Sequence, residues 1–378
     1  MNASGQTVCL NMIVKNEAPV ISRCIDSVRP IIDSWTIVDT GSSDGTQDII
    51  RKELSDLPGE LHERPWRDFA SNRSEALELA RGRSDYILII DADDMLEIER
   101  DLTLPALSAD SYPIEIRNAS IVYQRTQFVR SALPWRYEGV LHEYLTCDGA
   151  GPAGQQLSGI RMQCNHDGAR RKDPETYRRD ANVLEGALRG ETNPFLLARY
   201  RFYLAQSYRD SGELEKALEH YLARSELGFW QEEVFMSLYS AARLKERLGH
   251  PGQDVIDAYL HAADAAPRRV EALHGASRFC RYQKRYEEGY RIAKRGLEVP
   301  MPGSNSLFVE PWIYETGLLD EFSINAYWAG RNWDSLDACL RLLATGKLTQ
   351  RDMPRVLANA RFAIERLPRD TASEAGAV

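Results

Sequence analysis

The chain has 378 residues, 43% of them hydrophobic, which is enough for two domains with separate cores. Its formal net charge of −9 gives no bulk attraction to nucleic acid or anionic lipid, although arginine far outnumbers lysine and leaves room for local basic patches. No apolar run approaches a membrane span, no basic stretch precedes the first apolar run, and the six cysteines (9, 24, 147, 164, 280 and 339) form neither a CxxC pair nor a metal-type spacing, so reduced thiols in a cytoplasmic protein are expected.

Up to about residue 170 the pattern alternates strand and helix. Residues 7–14 read as a strand, and Asn16 is placed to cap a helix running to about residue 28. Residues 35–39 form a second strand. A turn at Gly41-Ser42-Ser43-Asp44-Gly45-Thr46 leads into a helix over 48–54. A short strand at 61–64, a helix over 68–81 and an apolar strand over 86–90 follow, with further strands at 114–116, 121–129 and 160–164. This βαβα order predicts a mostly parallel sheet with helices on both faces.

From about Pro174 strand signals vanish and helical periodicity takes over. Leu204, Ala205 and Tyr208 precede Gly212-Glu213-Leu214, then Ala217 and Tyr221; Leu273, Ser277 and Cys280 precede Arg285-Tyr286, then Gly289 and Ala293. Tyr327 before Asn332-Trp333, then Leu336 and Leu340, gives a third register at a spacing near 34–36 residues, interrupted around Pro302 to Pro311. The pattern resembles tetratricopeptide repeats, in which small residues let antiparallel helices approach closely. The expected division is residues 1–172 for an α/β domain, 173–370 for an all-α helical-repeat domain, and 371–378 for a small polar tail that frays.

The strand over 86–90 runs directly into Asp91-Ala92-Asp93-Asp94. Three carboxylates at the carboxyl end of a strand buried on both faces raise one another's pKa unless a cation or donor network neutralises them. Ligands of open α/β sheets bind beyond the strand carboxyl ends, and hard oxygen ligands there suit Mg²⁺ or Mn²⁺ on a substrate phosphate. At the end of the second strand, Asp39 would point into the same crevice and accept from a base N–H or a ribose hydroxyl, or serve structure alone. Asp44 also fits a capping box with Gln47. On the 68–81 helix, Phe69, Arg73, Ala76, Leu77 and Ala80 share one stripe, so Arg73 needs an anionic partner: a diphosphate, or a structural pair with Asp39 or Asp91.

Leu10-Asn11-Met12-Ile13-Val14-Lys15-Asn16-Glu17, Ile37 to Thr46, Phe69 to Arg73 and Ile90 to Asp94 occur in that order. Together they resemble the family 2 nucleotide-sugar glycosyltransferases of GT-A (Rossmann-like) fold. The most similar subgroup includes lipopolysaccharide-core glucosyltransferases and peptide-modifying transferases of bacteriocin biosynthesis, several of which carry helical repeats after the catalytic domain. The resemblance implies that Asn16, Glu17, Asp39 and Asp44 surround the base and ribose of a nucleotide sugar, a UDP-sugar foremost. It implies Asp93 as a direct metal ligand, with Asp91 a second ligand or a ribose contact, and Asp94 only a cap or surface charge. Asn72 joins the nucleotide-sugar side, or is a solvated helix residue.

Inverting transfer needs a base opposite the leaving group. In Trp135-Arg136-Tyr137-Glu138-Gly139-Val140-Leu141-His142-Glu143, the family's spacing assigns that role to Glu143, with His142 as substitute base or diphosphate ligand and Trp135 and Tyr137 as sugar-stacking rings. The alternative is a helix start with Glu143 exposed and His142 half-buried. Among GT-A enzymes a late histidine completes the metal shell, which points to His166; otherwise it is a turn histidine before Gly168. Arg170, Arg171 and Lys172 are a diphosphate lid or a solvated linker. The expected activity is metal-dependent inverting transfer of a sugar from a nucleotide-diphosphate donor to a peptide, protein or glycan acceptor, with no nucleic-acid partner and with the repeats available for homo-oligomer formation. The alternative is a non-catalytic nucleotide-binding scaffold whose repeats recruit a protein partner.

Overall fold

The computed structural model describes residues 5–368 except 101, 119, 120, 166, 304 and 305, with backbone only for 121, 171 and 172. The expected tail, 371–378, lies outside the described residues. Two compact units divide the chain at Thr192 and Asn193. Against the expected division at 172/173, residues 173–192 fall with the first unit.

The first unit holds β1 (Val8–Val14), α1 (Ile21–Val28), β2 (Ser34–Asp39), α2 (Thr46–Glu53), β3 (Gly59–Glu63), α3 (Phe69–Ala80), β4 (Tyr86–Ile89), β5 (Met95–Ile98), β6 (Ser111–Asn118), β7 (Ile121–Arg130), β8 (Arg136–Glu138), β9 (Tyr144–Thr146), β10 (Ile160–Cys164) and α4 (Thr176–Leu188). An eight-stranded sheet runs β3-β2-β1-β4-β7-β6-β10-β5. Pairings β3-β2, β2-β1, β1-β4 and β6-β10 are parallel; β4-β7, β7-β6 and β10-β5 are antiparallel. The mostly parallel α/β reading holds. Strand β5 and the separate β8-β9 hairpin are additions that the sequence reading did not contain.

Period-two alternation decides which face each β1 side chain serves. Val8, Leu10, Met12 and Val14 pack with Ile21, Cys24, Ile25 and Val28 of α1. Burying each such side chain contributes about 2 kcal/mol. Cys9 points the other way, onto Leu77 and Ala80 of α3. Asn11 shares that face, buried, and its amide donates to Thr36 O (3.1 Å) and Ala76 O (2.8 Å). This fixes the depth of α3 against the sheet, and therefore the height of Arg73 above the strand ends. Helix α1 begins at Ile21, not Asn16, and its N-cap Val20 makes no side-chain cap. Asn16 instead has φ +57, a left-handed backbone that asparagine tolerates better than most residues.

The second unit is all helical: α5 (Pro194–Asp210), α6 (Leu214–Ser225), α7 (Gln231–Arg247), α8 (Gly252–Ala265), α9 (Glu271–Tyr282), α10 (Tyr286–Lys294), α11 (Leu318–Trp328), α12 (Asn332–Ala344) and α13 (Met353–Glu365), with a π-helical turn at Ile313–Gly317. Each helix packs on the next, and buried Ala242, Ala262, Ala276, Ala293, Ala326 and Ala338 allow the close approach expected of tetratricopeptide-like pairs. At Gly275 a Cβ would sit 2.5 Å from the Tyr259 ring, so only glycine fits without a shift. Arg224 is fully buried against Glu233 (2.9 Å) and donates to Gly228 O (3.0 Å). His274 is buried beside Trp312, ring centroids 4.9 Å apart.

Candidate active site

Strands β1, β2 and β4 deliver Asn16, Asp39 and Asp91 to one end of the sheet because all three run parallel. Asp39 is 1% exposed. Its Oδ1 accepts from the backbone N–H of Gly41 and Ser42 (2.9 Å each) and from the Gln47 amide (3.1 Å). Its Oδ2 is buried with no hydrogen-bond partner among the described residues. An unmatched buried carboxylate oxygen is costly, and a ligand N–H or O–H would satisfy it. Around it, Asn16 Oδ1 accepts from Ser43 N–H (2.8 Å) and Asn16 N–H donates to Ser42 Oγ (2.9 Å). Glu17 N–H donates to Thr46 Oγ1 (2.9 Å), while its carboxylate accepts from Ala169 N–H at 3.3 and 3.4 Å. Asp44 ties the two loops together, accepting from Ala18 N–H (3.0 Å), Thr46 N–H (3.1 Å) and Thr46 Oγ1 (2.6 Å). Its pKa is lowered because these bonds outweigh its burial. It does not cap with Gln47; Gly45 is the N-cap of α2.

Arg73 is the hinge of the site. Its Nη2 meets Asp91 Oδ1 at 2.5 Å and its Nε meets Glu143 Oε1 at 2.8 Å. The Tyr137 ring lies 5.6 Å from the guanidinium. Of the partners open to Arg73, the structure selects Asp91 and not Asp39. Burial alone would weaken the arginine's charge, but Asp91 and Glu143 hold its pKa above the usual value. Asp91 is likewise pushed up by burial and pulled lower still by Arg73 and Arg125, leaving it below the ordinary carboxylate value. Glu143 is raised, burial outweighing Arg73.

Asp93 and Asp94 diverge from Asp91. Burial, then Asp91, raises the Asp93 pKa. Among the described residues no arginine or lysine lies within ion-pair distance of the Asp93 carboxylate. Its backbone carbonyl accepts from Arg23 Nη2 (2.9 Å) and Asn165 Nδ2 (3.2 Å), and a Cβ at Gly168 would fall 2.7 Å from its Oδ2. Arg23 in turn holds Asp167 through two bonds of 2.7 and 2.8 Å. Asp94 is not a surface charge: it is 5% exposed, 3.8 Å from Arg125, and burial with Asp91 and Asp93 pushes it up to about 7.

Other expectations need correction. The segment around Glu143 is a hairpin, not a helix start, because Gly139 (φ +102) and His142 (φ +52) turn the chain between β8 and β9. Glu143 points inward to Arg73, and His142 is exposed. Asn72 is fully buried rather than solvated; it accepts from Arg67 N–H (2.9 Å) and donates to Pro65 O (3.1 Å), closing the loop before α3. Those bonds spend its amide on the backbone. Trp135 packs on the core beside Leu77 and Val129 and donates to Arg130 O (3.2 Å), so it offers no free sugar platform. Arg170 is held by Asp180 (2.5 Å) over the Phe69 ring (4.6 Å). His166 lies outside the described residues. Among those residues no group of three His, Cys, Asp or Glu side chains is arranged to hold a metal ion.

Arg125, Gln127 and Arg23 belong to the site and were not foreseen. In β7 the register skips between Tyr112/Phe128 and Pro113/Thr126, which leaves Gln127 unopposed as a bulge. Buried Gln127 donates to Ile89 O, two residues before Asp91, and accepts from Arg125 Nε (2.9 Å).

Residues 9–110 match the family model described as glycosyl transferase family 2. Over 99 residues the chain is 37% identical to a TPR repeat-containing protein of Synechococcus elongatus, a match covering 26% of this chain and 23% of that protein. Over 94 residues it is 33% identical to the SPbeta prophage-derived glycosyltransferase SunS of Bacillus subtilis, covering 25% and 21%. The matches thus span under a quarter of these relatives' own length. Among solved structures, S. aureus TarS 1–349 in complex with UDP aligns at 13% identity over 64% of this chain and 82% of its own, with a TM-score of 0.33, too low to carry an argument. Residues 9–110 carry the glycosyl transferase family 2 pattern, and a run of tetratricopeptide-like helices follows them in the chain.

Proposed function

We propose that the first unit transfers a sugar from a nucleotide-diphosphate donor, inverting the anomeric carbon, onto a peptide, protein or glycan acceptor. The observation that carries this reading is Arg73 joining Asp91 to Glu143 at the strand ends, with Asp91 inside the matched segment and Glu143 beyond it. A buried guanidinium between two carboxylates is a preorganised cation beside the place where a departing diphosphate builds charge. Glu143, with its raised pKa, is suited to take the acceptor's proton. The unmatched Oδ2 of Asp39 supports a nucleotide base or ribose in the crevice beyond the end of β2.

Asp93 fits a divalent cation: no described arginine or lysine lies within ion-pair distance of its carboxylate, and burial together with Asp91 raises its pKa. Mg²⁺ or Mn²⁺ needs only one or two carboxylates when phosphate oxygens and water complete its shell. Asp93 would hold it, with Asp91 second; bound there, the ion would act as a Lewis acid on the leaving diphosphate.

The test incubates the full chain with Mn²⁺ and a panel of nucleotide sugars and follows donor hydrolysis. Turnover lost in Asp93→Ala is expected. Glu143→Gln should retain nucleotide binding while turnover falls about 10²–10⁴-fold. Nucleotide binding without turnover in the unmodified protein would replace this reading with the scaffold.

A further inference from the structure

Helix α1 holds the acidic run from behind, by its main chain. Arg23, Cys24 and Ser27 share one face of the helix, and each bonds to the backbone of the run or of the strand that follows it. Cys24 Sγ donates to Asp91 O (3.5 Å), Arg23 Nη2 donates to Asp93 O (2.9 Å), and Ser27 Oγ accepts from Leu96 N–H (3.1 Å). Asp94 N–H closes the turn on Asp91 O (3.0 Å). With the backbone held at these points, the direction of the Asp93 side chain is set before any ligand arrives.

Arg23 has a second contact. Its Nη1 and Nη2 fork onto the two carboxylate oxygens of Asp167 (2.8 and 2.7 Å). Asp167 anchors the chain beside Gly168, whose backbone abuts the Asp93 carboxylate: a Cβ there would fall 2.7 Å from Oδ2. Burial and then Asp91 raise the Asp93 pKa, and the Gly168 backbone N–H works against them. One guanidinium therefore fixes Asp93 from both sides, at its carbonyl directly and at its carboxylate through Asp167 and Gly168. An arginine seated on the carboxylate itself would aim Asp93 and cancel its charge. Arg23 aims it and spends its own charge on Asp167. The two side chains of that pair are 34% and 43% exposed, and an ion pair so open to water contributes little to stability, so the fork is not explained by holding the fold together.

We infer that Arg23, acting through Asp93 O and through Asp167, is the positioning residue for Asp93 as ligand of a divalent cation. It holds the carboxylate in one direction and leaves its charge for the ion. The inference rests on the reading of Asp93 as a cation ligand. Removing an outer group that orients a metal ligand typically costs about 10–100-fold in affinity.

The test titrates Mn²⁺ into the full chain in the presence of UDP and follows unbound Mn²⁺ by electron paramagnetic resonance, which reads affinity without turnover. Asp93→Ala should lose the site. Arg23→Met and Asp167→Asn should each weaken Mn²⁺ binding about tenfold. Arg23→Lys should recover only part of the loss, since one ammonium cannot fork Asp167 and reach Asp93 O together. Urea unfolding of the same samples separates a merely structural role, which would lower the midpoint and leave the affinity of the folded chain unchanged. If Arg23→Met does not fold, Asp167→Asn, which keeps the side-chain shape, carries the titration. Unchanged Mn²⁺ affinity in the folded variants, with the Asp93→Ala loss intact, overturns this inference alone. No Mn²⁺ binding by the unmodified chain, or binding that Asp93→Ala leaves unchanged, overturns the cation reading and this inference with it.

Discussion

Replacing Arg73 by methionine removes a cation from between two carboxylates and leaves most of the packing volume. The side chains of Arg73 and Glu143 are 14% and 11% exposed, and that of Asp91 33%. If these were surface pairs the loss would be under about 1 kcal/mol. Breaking a buried pair by deleting one partner costs about 3–5 kcal/mol, because the remaining charge has no compensation. Asp91 is a third open to water and can recover some hydration, so about 3 kcal/mol is expected here. Arg73→Lys should recover only part of this, since a single ammonium cannot span both carboxylates as the guanidinium fork does. The assay is denaturant unfolding followed by hydrogen exchange of the β4 amides, which reports the first unit without assuming that both units melt together. Combined with Glu143→Gln, Arg73→Met should cost at least 0.5 kcal/mol less than the sum of the singles, on the order of coupling seen for contacting residues. Strict additivity, with a single-variant cost under about 1 kcal/mol, would refute the bridging role.

Gly168→Ala places a methyl 2.7 Å from Asp93 Oδ2 at a backbone angle alanine accepts (φ −63). Stability should change by less than about 1 kcal/mol while donor turnover falls about tenfold or more, since small misplacements of reacting groups are expensive; unchanged turnover would detach Gly168 from the site. Burial, with help from Arg278 and Arg281, pushes the His274 pKa down to about 4. The folded value is depressed, so its contribution is fully present above the unfolded value of about 6.5 and is lost as pH falls toward 4, at most about 1 kcal/mol per pH unit. Trp312 fluorescence during urea unfolding should record that decline, and His274→Gln should flatten it. Arg224→Met removes the 2.9 Å partner of buried Glu233 and leaves it Arg199 at 3.9 Å, so it should cost about 3 kcal/mol in the second unit, with first-unit amide exchange unchanged.

Much of the site was legible because its carriers are local. A strand buried on both faces, a turn rich in glycine and an arginine on a core stripe identify themselves within ten residues, and they led to Asp39, Arg73, Asp91 and Asp93. What stayed hidden depends on long closure or on a break in periodicity. Arg23 and Asp167 are 144 residues apart, and neither has a local signature. The Glu143 hairpin hid behind a stretch whose turn needs a positive φ at a histidine as well as at a glycine. Asn72 looked solvated because its partners are backbone atoms of the preceding loop. The second unit's helices were readable from small-residue spacing.

The unopposed residue in β7 has an evolutionary consequence. Arg125 and Phe128 share a sheet face although three positions separate them, an odd interval that regular alternation forbids. Deleting Gln127 alone would restore strict parity and keep Arg125 on the face of Phe128, with the hydrophobic inventory of the domain untouched, but it would remove the amide that links Ile89 O to Arg125 Nε. The extra residue thus serves its amide and not the side on which the arginine stands: a descendant lacking it would keep a soundly packed sheet and lose the tether that orients Arg125 beside the acids.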